Sequence, residues 1–269
     1  MADRVFKDHT VIVTGASNGI GRELALQLAD QGAWLVLAAR QEDKLAALAQ
    51  ECRQRGGQAL DVPTDVTRAG ACKALASQAV AAFGRIDMLV NNAGSTMWAR
   101  FDEVRDLSIF EKVMQVNYLG SVYCTFFCLS YLKHSRGRIV GISSLAGKTG
   151  VPMRSGYAAG KHAMVGFFDS LRIELAETGV SVTMVYPGFV ATGSQARAYG
   201  PDGRPLGRNP LQVEKVMPAG DCARRILQAA AHRRREEVMT LRGKLGQWLK
   251  LIAPGLVDRI ARKAIEEGK

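Results

Sequence analysis

The chain has little with which to cross a membrane, staple itself or hold a metal. Nowhere do about 18 apolar residues run uninterrupted, the length a helical span requires, and Met1 to Thr10 is mostly polar, unlike a secretory leader. These absences predict a cytosolic protein. The five cysteines, Cys52, Cys72, Cys124, Cys128 and Cys222, are odd in number and scattered, which fits reduced thiols better than a disulfide framework. Cys124 and Cys128 stand at helical i, i+4 spacing, but no histidine pair or second cysteine pair completes a ligand set, so no metal is expected.

Acidic residues are also short: 25 Asp plus Glu face 36 Lys plus Arg, a net charge of +11. That excess raises nucleic acid, anionic lipid and cofactor phosphates as partners. Zinc-finger spacing is missing and the basic residues do not interleave with aromatics, which argues against nucleic acid. Much of the excess sits in residues 233–269, where ten Lys or Arg against five Asp or Glu leave +5. A solvated basic face is the plain reading of that stretch.

What is present fits a globular α/β protein. With 47% apolar and 23% charged residues over 269 positions, a sizeable core can form. Apolar runs at 10–14, 34–38, 59–63, 86–91, 137–143, 180–186 and 237–241 alternate with amphipathic stretches at 19–31, 42–55, 68–83, 108–134, 155–177 and 220–233. This alternation predicts a doubly wound, Rossmann-type domain with a seven-stranded parallel sheet covered by helices on both faces. It spans residues 1–241. Residues 194–217 are rich in Gly and Pro and read as loops and turns. Residues 242–269 form a basic amphipathic tail. In it Leu245, Trp248, Leu249 and Ile252 share one helical face before Pro254-Gly255 interrupts, and Leu256, Val257 and Ile260 resume.

Two features carry chemistry. A glycine-rich turn, Thr14-Gly15-Ala16-Ser17-Asn18-Gly19-Ile20-Gly21, follows the first apolar run, where backbone N–H groups and a helix N-terminus can face a pyrophosphate. Tyr157 and Lys161 stand four apart, so on a helix the ammonium lies beside the phenol and favours its ionised form. A phenol so placed can trade protons near neutral pH.

With Asn91-Asn92-Ala93-Gly94, Asn117, Ser143-Ser144 and Pro187-Gly188-Phe189-Val190-Ala191-Thr192 in the same order, the chain resembles the short-chain dehydrogenase/reductase family from about residue 7 to 241. The resemblance implies a fold, a chemistry and a set of roles. Gly15, Ser17, Asn18, Gly19, Ile20 and Gly21 would cradle the cofactor pyrophosphate, the glycines matching the family's Gly-x-x-x-Gly-x-Gly spacing. Asp65 and Val66 would contact adenine. Asn91, Ala93 and Gly94 would flank the adenosine and nicotinamide ribose, and Pro187, Gly188, Val190 and Thr192 would reach the nicotinamide carboxamide. Tyr157 would be the acid/base, with Lys161 lowering its pKa and bonding the nicotinamide ribose. Ser144, thirteen residues before Tyr157, would bond the reacting oxygen. Asn117 would kink the long helix and hold a water that links Lys161 to solvent. Gly160 departs from the serine the family most often has there.

Ala38-Ala39-Arg40 ends the second strand without the acid that would accept bonds from a ribose 2′-OH, and Arg40 suits a 2′-phosphate, so NADP(H) is the expected cofactor. The segments 144–148, 151–153 and 166–172 look most like the branch of the 11β-hydroxysteroid dehydrogenases, which favours bulky apolar ketones and alcohols. Leu145, Val151, Met153 and Phe189, with Tyr199 and Leu206, are the expected pocket. The resemblance also implies a homodimer or homotetramer and makes 194–217 a substrate lid. The tail adds possible peripheral contact with an anionic membrane. The competing reading is a non-catalytic NADP(H)-binding sensor or scaffold, which loss of Tyr157, Lys161 or Ser144 would have favoured.

Overall fold

A computed structural model describes residues 4–209 and 216–266. Its elements run β1 (Thr10–Thr14), α1 (Gly19–Ala29), β2 (Trp34–Ala39), α2 (Glu42–Gln54), β3 (Gln58–Pro63), α3 (Ala69–Phe83) and β4 (Met88–Asn91). There follow α4 (Ser108–Met114), α5 (Gly120–His134), β5 (Arg138–Ile142), α6 (Ser155–Glu174), β6 (Ser181–Tyr186), β7 (Val190–Ala191) and β8 (Met217–Pro218). The last are α7 (Ala219–Ala231), β9 (Glu236–Val238), α8 (Leu241–Ile252) and α9 (Pro254–Glu266).

The inner strands β1, β2, β4, β5 and β6 are mainly apolar and buried, a composition that a sheet covered on two sides satisfies, whereas the edge strands β3 and β9 carry Gln58, Asp61, Glu236 and Glu237. These seven strands form one parallel sheet in the order β3-β2-β1-β4-β5-β6-β9. Side chains alternate across it. Val11, Val13, Leu35, Leu37, Val140 and Ile142 join Leu24, Leu48 and Ile226 in one core layer, while Ile12, Val36, Leu89, Ile139, Val182 and Met184 join Leu75, Leu132 and Phe168 in the other. Hence α1, α2 and α7 cover one face and α3, α5 and α6 the other. The chain leaves β1 for β2 on one side and returns to β4 on the other, so the order reverses beside β1 and opens a crevice at the strands' carboxyl ends.

Polar ties fix the sheet's amino-terminal edge. The Asp87 carboxylate, 3% exposed, accepts the Thr10 N–H at 2.9 Å and a forked pair of bonds from Arg85. α3 stops where Gly84 adopts φ +74° and returns its N–H to Val80 at 2.8 Å, a left-handed cap that favours glycine.

Two departures from the sequence pattern bear on the site. The stretch 108–134 is not one regular helix, because a π turn over Gln115–Leu119 separates α4 from α5, with Asn117 at its centre. The pair β7 and β8, each two residues long, escaped the periodicity because two residues establish no period. Within the expected lid, the Tyr199 N–H donates to the Thr96 carbonyl and its C=O accepts from the Trp98 N–H, at 2.9 Å each; residues 210–215 of that stretch lie outside the described residues.

The tail folds as two helices. α8 docks where a Cβ on Gly243 would come 2.5 Å from Leu145 Cδ2, and Lys250 donates to the Lys148 carbonyl at 2.8 Å. Val257 of α9 is buried. Among the described residues no helix is long and apolar enough to cross a membrane.

Phe168, fully buried against the sheet, anchors the helix that carries Tyr157 and Lys161. Replacing it by alanine removes that packing and leaves a cavity, and urea unfolding is expected to show a loss of about 3–5 kcal/mol.

Candidate active site

The loops leaving β1 to β6 at their carboxyl ends carry most of the expected site residues, and α6 brings the rest. Gly15 and Gly19 adopt φ +64° and +56°, and a Cβ on Gly21 would lie 2.3 Å from the Gly15 carbonyl oxygen, so the start of α1 packs directly on the turn. Asn18 precedes that helix without capping it, and no acid lies in the first turn, which leaves the helix N-terminus with its positive dipole uncompensated. Ile20 packs on the core, and the Ser17 hydroxyl accepts from Asn18 Nδ2. The turn is braced from β4, because Asn92 Nδ2 donates to the Thr14 and Gly15 carbonyls at 2.9 and 3.2 Å. A backbone cradle of this kind, closed to a Cβ at Gly15, Gly19 and Gly21 and opening onto a helix N-terminus, fits a dinucleotide phosphate.

Arg40, Asp65 and Val66, the residues expected at the adenine end, lie together beyond β2 and β3. Arg40 is exposed after the apolar Ala39. Partial burial pushes the Asp65 carboxyl up, but the Thr67 N–H and hydroxyl, at 3.0 and 2.8 Å, and the Arg40 and Arg68 charges hold it below its ordinary value. Val66 is buried against Gly120 of α5. The Asn91 side chain turns away from the crevice and donates to Thr125 at 3.1 Å, leaving its backbone, with Ala93 and Gly94, at the crevice.

Lys161 is 4% exposed, and its ammonium donates to the Ile142 carbonyl at the end of β5, 2.7 Å away. Desolvation lowers its pKa to about 8. The ammonium lies 5.9 Å from the Tyr157 ring centroid. Asn117 presents its side-chain amide to Ser95, accepting the N–H at 3.0 Å and donating to the carbonyl at 2.8 Å. A Cβ on Gly94 would be 3.0 Å from Asn117 Oδ1 and 3.6 Å from Lys161 Nζ, so glycine there lets β4, the π turn and α6 converge. Gly160 serves the same approach, since a Cβ on it would meet Asn117 Cβ at 3.3 Å.

The paired serines differ. Ser143 is buried and donates to the Lys161 carbonyl at 3.4 Å, whereas the Ser144 hydroxyl accepts the Ala146 N–H at 3.2 Å and keeps its own proton to give. Beyond β6, the Pro187 carbonyl accepts from Leu145, Gly188 faces Thr240, Val190 pairs in the small sheet, and Thr192 packs against Gly19.

An apolar wall adjoins Tyr157. Met153, Phe189 and Leu206 pack with Trp98 and Ala198, and Ile265 of α9 reaches the same cluster; Tyr199 packs beside Tyr157. Leu145 turns toward Gly188 and Gly243, and Val151 gives its carbonyl to the Arg154 N–H. Three residues escaped the sequence reading. Trp98 follows the Asn91–Gly94 segment in the same loop, Arg154 stands one helical turn before Tyr157, and Arg197 donates from the lid to Asn18 Oδ1 at 2.7 Å, placing a cation over the glycine turn. The i, i+3 spacing of Arg154 and Tyr157 was the legible signal.

The five cysteines are buried and free, with Cys124 donating to Cys72 at 3.5 Å, and no group of three metal-ligating side chains occurs among the described residues.

Comparison with known proteins places this geometry. The family described as short chain dehydrogenase matches residues 9–200. A Dictyostelium discoideum dehydrogenase/reductase SDR family protein 7-like is 36% identical over 96% of this chain and 82% of its own length. An Arabidopsis thaliana 11-beta-hydroxysteroid dehydrogenase-like 4A is 36% identical over 92% and 81%. Among solved structures, a Burkholderia phymatum short chain dehydrogenase/reductase in complex with NAD superposes with TM-score 0.83 at 28% identity, over 93% of this chain and 95% of that one. A Thermococcus sibiricus alcohol dehydrogenase complexed with 5-hydroxy-NADP gives 0.74 at 26%, over 86% and 95%.

Because Lys161 is charged in the unfolded chain up to about pH 10.5 but loses its proton in the folded one near pH 8, the unfolded state binds more protons between these values. Stability relative to Lys161→Met is therefore expected to rise with pH across that window. Urea unfolding of both proteins at several pH values reads the difference, and a flat difference contradicts the burial.

Proposed function

The chain belongs to the short chain dehydrogenase family, and on that premise we propose that it is an NADP(H)-dependent oxidoreductase that interconverts a ketone or aldehyde and an alcohol on a bulky apolar, steroid-like or lipid-like substrate. The observation that carries this reading is a phenol and a buried ammonium, Tyr157 and Lys161, held together at the crevice that the glycine turn also faces. The domain that does this is residues 1–241, with 194–217 as its substrate lid and 242–269 as an appended tail.

When bound, a nicotinamide cofactor supplies the hydride in reduction and takes it in oxidation. The glycine turn, Ser17, Asn18 and Ile20 hold its phosphates, Arg40 the 2′-phosphate, Asp65 and Val66 the adenine, and Asn91, Ala93 and Gly94 the sugars. Pro187, Gly188, Val190 and Thr192 orient the carboxamide. Tyr157 gives its phenolic proton to the carbonyl oxygen as the alcohol forms, and as phenolate it takes that proton in reverse. Lys161, its ammonium 5.9 Å from the centre of the Tyr157 ring, hydrogen-bonds the nicotinamide ribose and orients the sugar beside the phenol. Ser144, whose proton is uncommitted, donates to the reacting oxygen as charge builds there. Asn117 acts through Lys161, as the residue that fixes the π turn beside it. Leu145, Val151, Met153 and Phe189 bound the substrate. A non-catalytic sensor keeps the cradle but has no need of a buried ammonium beside a phenol.

A homodimer or homotetramer is supported by apolar side chains left open on the long helices: Phe126 of α5 is 71% exposed and Ile173 of α6 75%. Peripheral contact with an anionic membrane is supported by the tail, where Leu245, Trp248, Leu251 and Ile252 are exposed among Arg242, Lys244 and Lys250.

Titration with NADPH and NADH, followed by turnover of a panel of steroid, retinoid, acyl and aryl ketones, tests the central reading. Tighter NADPH binding is expected, and Arg40→Asp is expected to reverse the preference. Tyr157→Phe is expected to bind NADPH normally while turnover falls by about 10²–10⁴. Tight binding with no turnover of any ketone favours the sensor instead. Flotation with anionic liposomes tests the tail: the intact protein is expected to float and a Trp248→Asp, Leu251→Asp double variant to remain behind, whereas failure of both rejects the membrane.

A further inference from the structure

Arg154 is the charge that the fold leaves unanswered. Its side chain is 5% exposed, and its Nε is fully enclosed with no acceptor among the described residues. No carboxylate among those residues lies within ion-pair distance of it, in contrast to Arg22 with Glu51, Arg85 with Asp87 and Arg225 with Glu237. Aromatic faces surround it instead, with its guanidinium carbon 5.3, 5.0 and 5.1 Å from the centroids of Trp98, Tyr157 and Phe189. Rings attract a cation but cannot accept the five in-plane hydrogen bonds a guanidinium offers.

Position adds to the cost. Arg154 occupies the position just before the first turn of α6 without capping it, where the helix dipole already repels a cation. The preceding Met153 holds φ +64°, a conformation that a side chain disfavours, and its carbonyl accepts the Ala99 N–H at 2.9 Å. Burial also pushes the guanidinium below its ordinary pKa, opposed by the nearby Tyr157. An anion at this point reverses each penalty at once, since it pairs the fork, replaces lost solvation and agrees with the dipole.

We propose that Arg154 determines substrate specificity and that the substrate carries a carboxylate, bound by the guanidinium fork while Trp98 and Phe189 flank its carbon skeleton. This inference rests on the reading of Tyr157 as the reacting group and refines the apolar substrate to a keto or hydroxy acid with an apolar body. A single carboxylate matches a single guanidinium. A phosphate dianion asks for a second free cation, whereas Lys161 is committed to Ile142 and Lys112, over the Tyr199 ring, is paired with Asp106. The guanidinium shares the Tyr157 ring, so the carboxylate and the reacting carbonyl lie only a few bonds apart.

The test is calorimetric titration of the full chain, saturated with the oxidised cofactor it binds more tightly, using benzoylpropionate and other aryl keto acids beside their methyl esters. The wild type is expected to bind the acids about 10- to 100-fold tighter than the esters. Arg154→Met is expected to erase that preference, and Arg154→Lys, which keeps the charge without the fork, to retain part of it. Unchanged circular dichroism and cofactor affinity establish that the variants fold. Equal affinity for acid and ester, tighter ester binding, no binding of any acid, or a preference that survives Arg154→Met overturns the proposal. Because the readout is binding, absent turnover counts against the oxidoreductase reading alone.

Discussion

The hydrogen bond from the buried Lys161 ammonium to the Ile142 carbonyl is the constraint on which the rest of the site depends. A cation so enclosed is costly, which is why its pKa falls to about 8, and it stays in place only because neighbouring backbone comes unusually close. Gly94 and Gly160 lack the Cβ that would strike Asn117, and Gly147 lacks one that would meet Ser143 Oγ at 2.3 Å. The Ser143 hydroxyl bonds the Lys161 carbonyl, and Asn117 locks the π turn to Ser95. The end of β5, the π turn and α6 thus form one unit. Tyr157, one turn before Lys161, inherits its position from that unit.

The charges nearest the phenol ring are cations. Lys161 and Arg154 lie near it and Arg197 reaches over the glycine turn, while Asp65 stands beside Arg40 at the end expected to take adenine and Asp106 is paired with Lys112. A crevice of this kind draws anions. On the proposed reading, cofactor phosphates answer the cations beside the glycine turn and β2. They do not account for Arg154, whose surroundings are the apolar wall of Trp98 and Phe189.

The sheet was legible because its inner strands are buried on both faces, which turns them into apolar runs that helices must separate; the edge strands β3 and β9 are more polar. Thr10–Thr14 falls on its expected bounds, and Trp34–Ala39 and Ser181–Tyr186 differ by one residue at one end. The α4–α5 interruption was not legible as a π turn from spacing, because Gln115-Val116-Asn117 suits a regular helix and only contact with Ser95 extracts the side chain. The motif residues of the site stood out because glycine spacing and the Tyr157/Lys161 interval are local. Trp98, Arg197 and the reach of Ile265 into the Trp98 cluster are products of long-range packing, which no local window encodes. The amphipathic tail was visible, but its docking through Gly243 and Lys250 was not, since the surface it meets is built from β5–α6 residues nearly a hundred positions away.

The most direct measurement of the central claim is hydride tracing. With NADPH deuterated at the transferable position of the nicotinamide and a ketone that the protein turns over, the account predicts one deuterium on the carbinol carbon of the product, solvent-derived hydrogen on its oxygen, and labelling about 10²–10⁴-fold slower in Tyr157→Phe incubations. Deuterium that stays on the cofactor, or product carbon labelled from solvent, contradicts it.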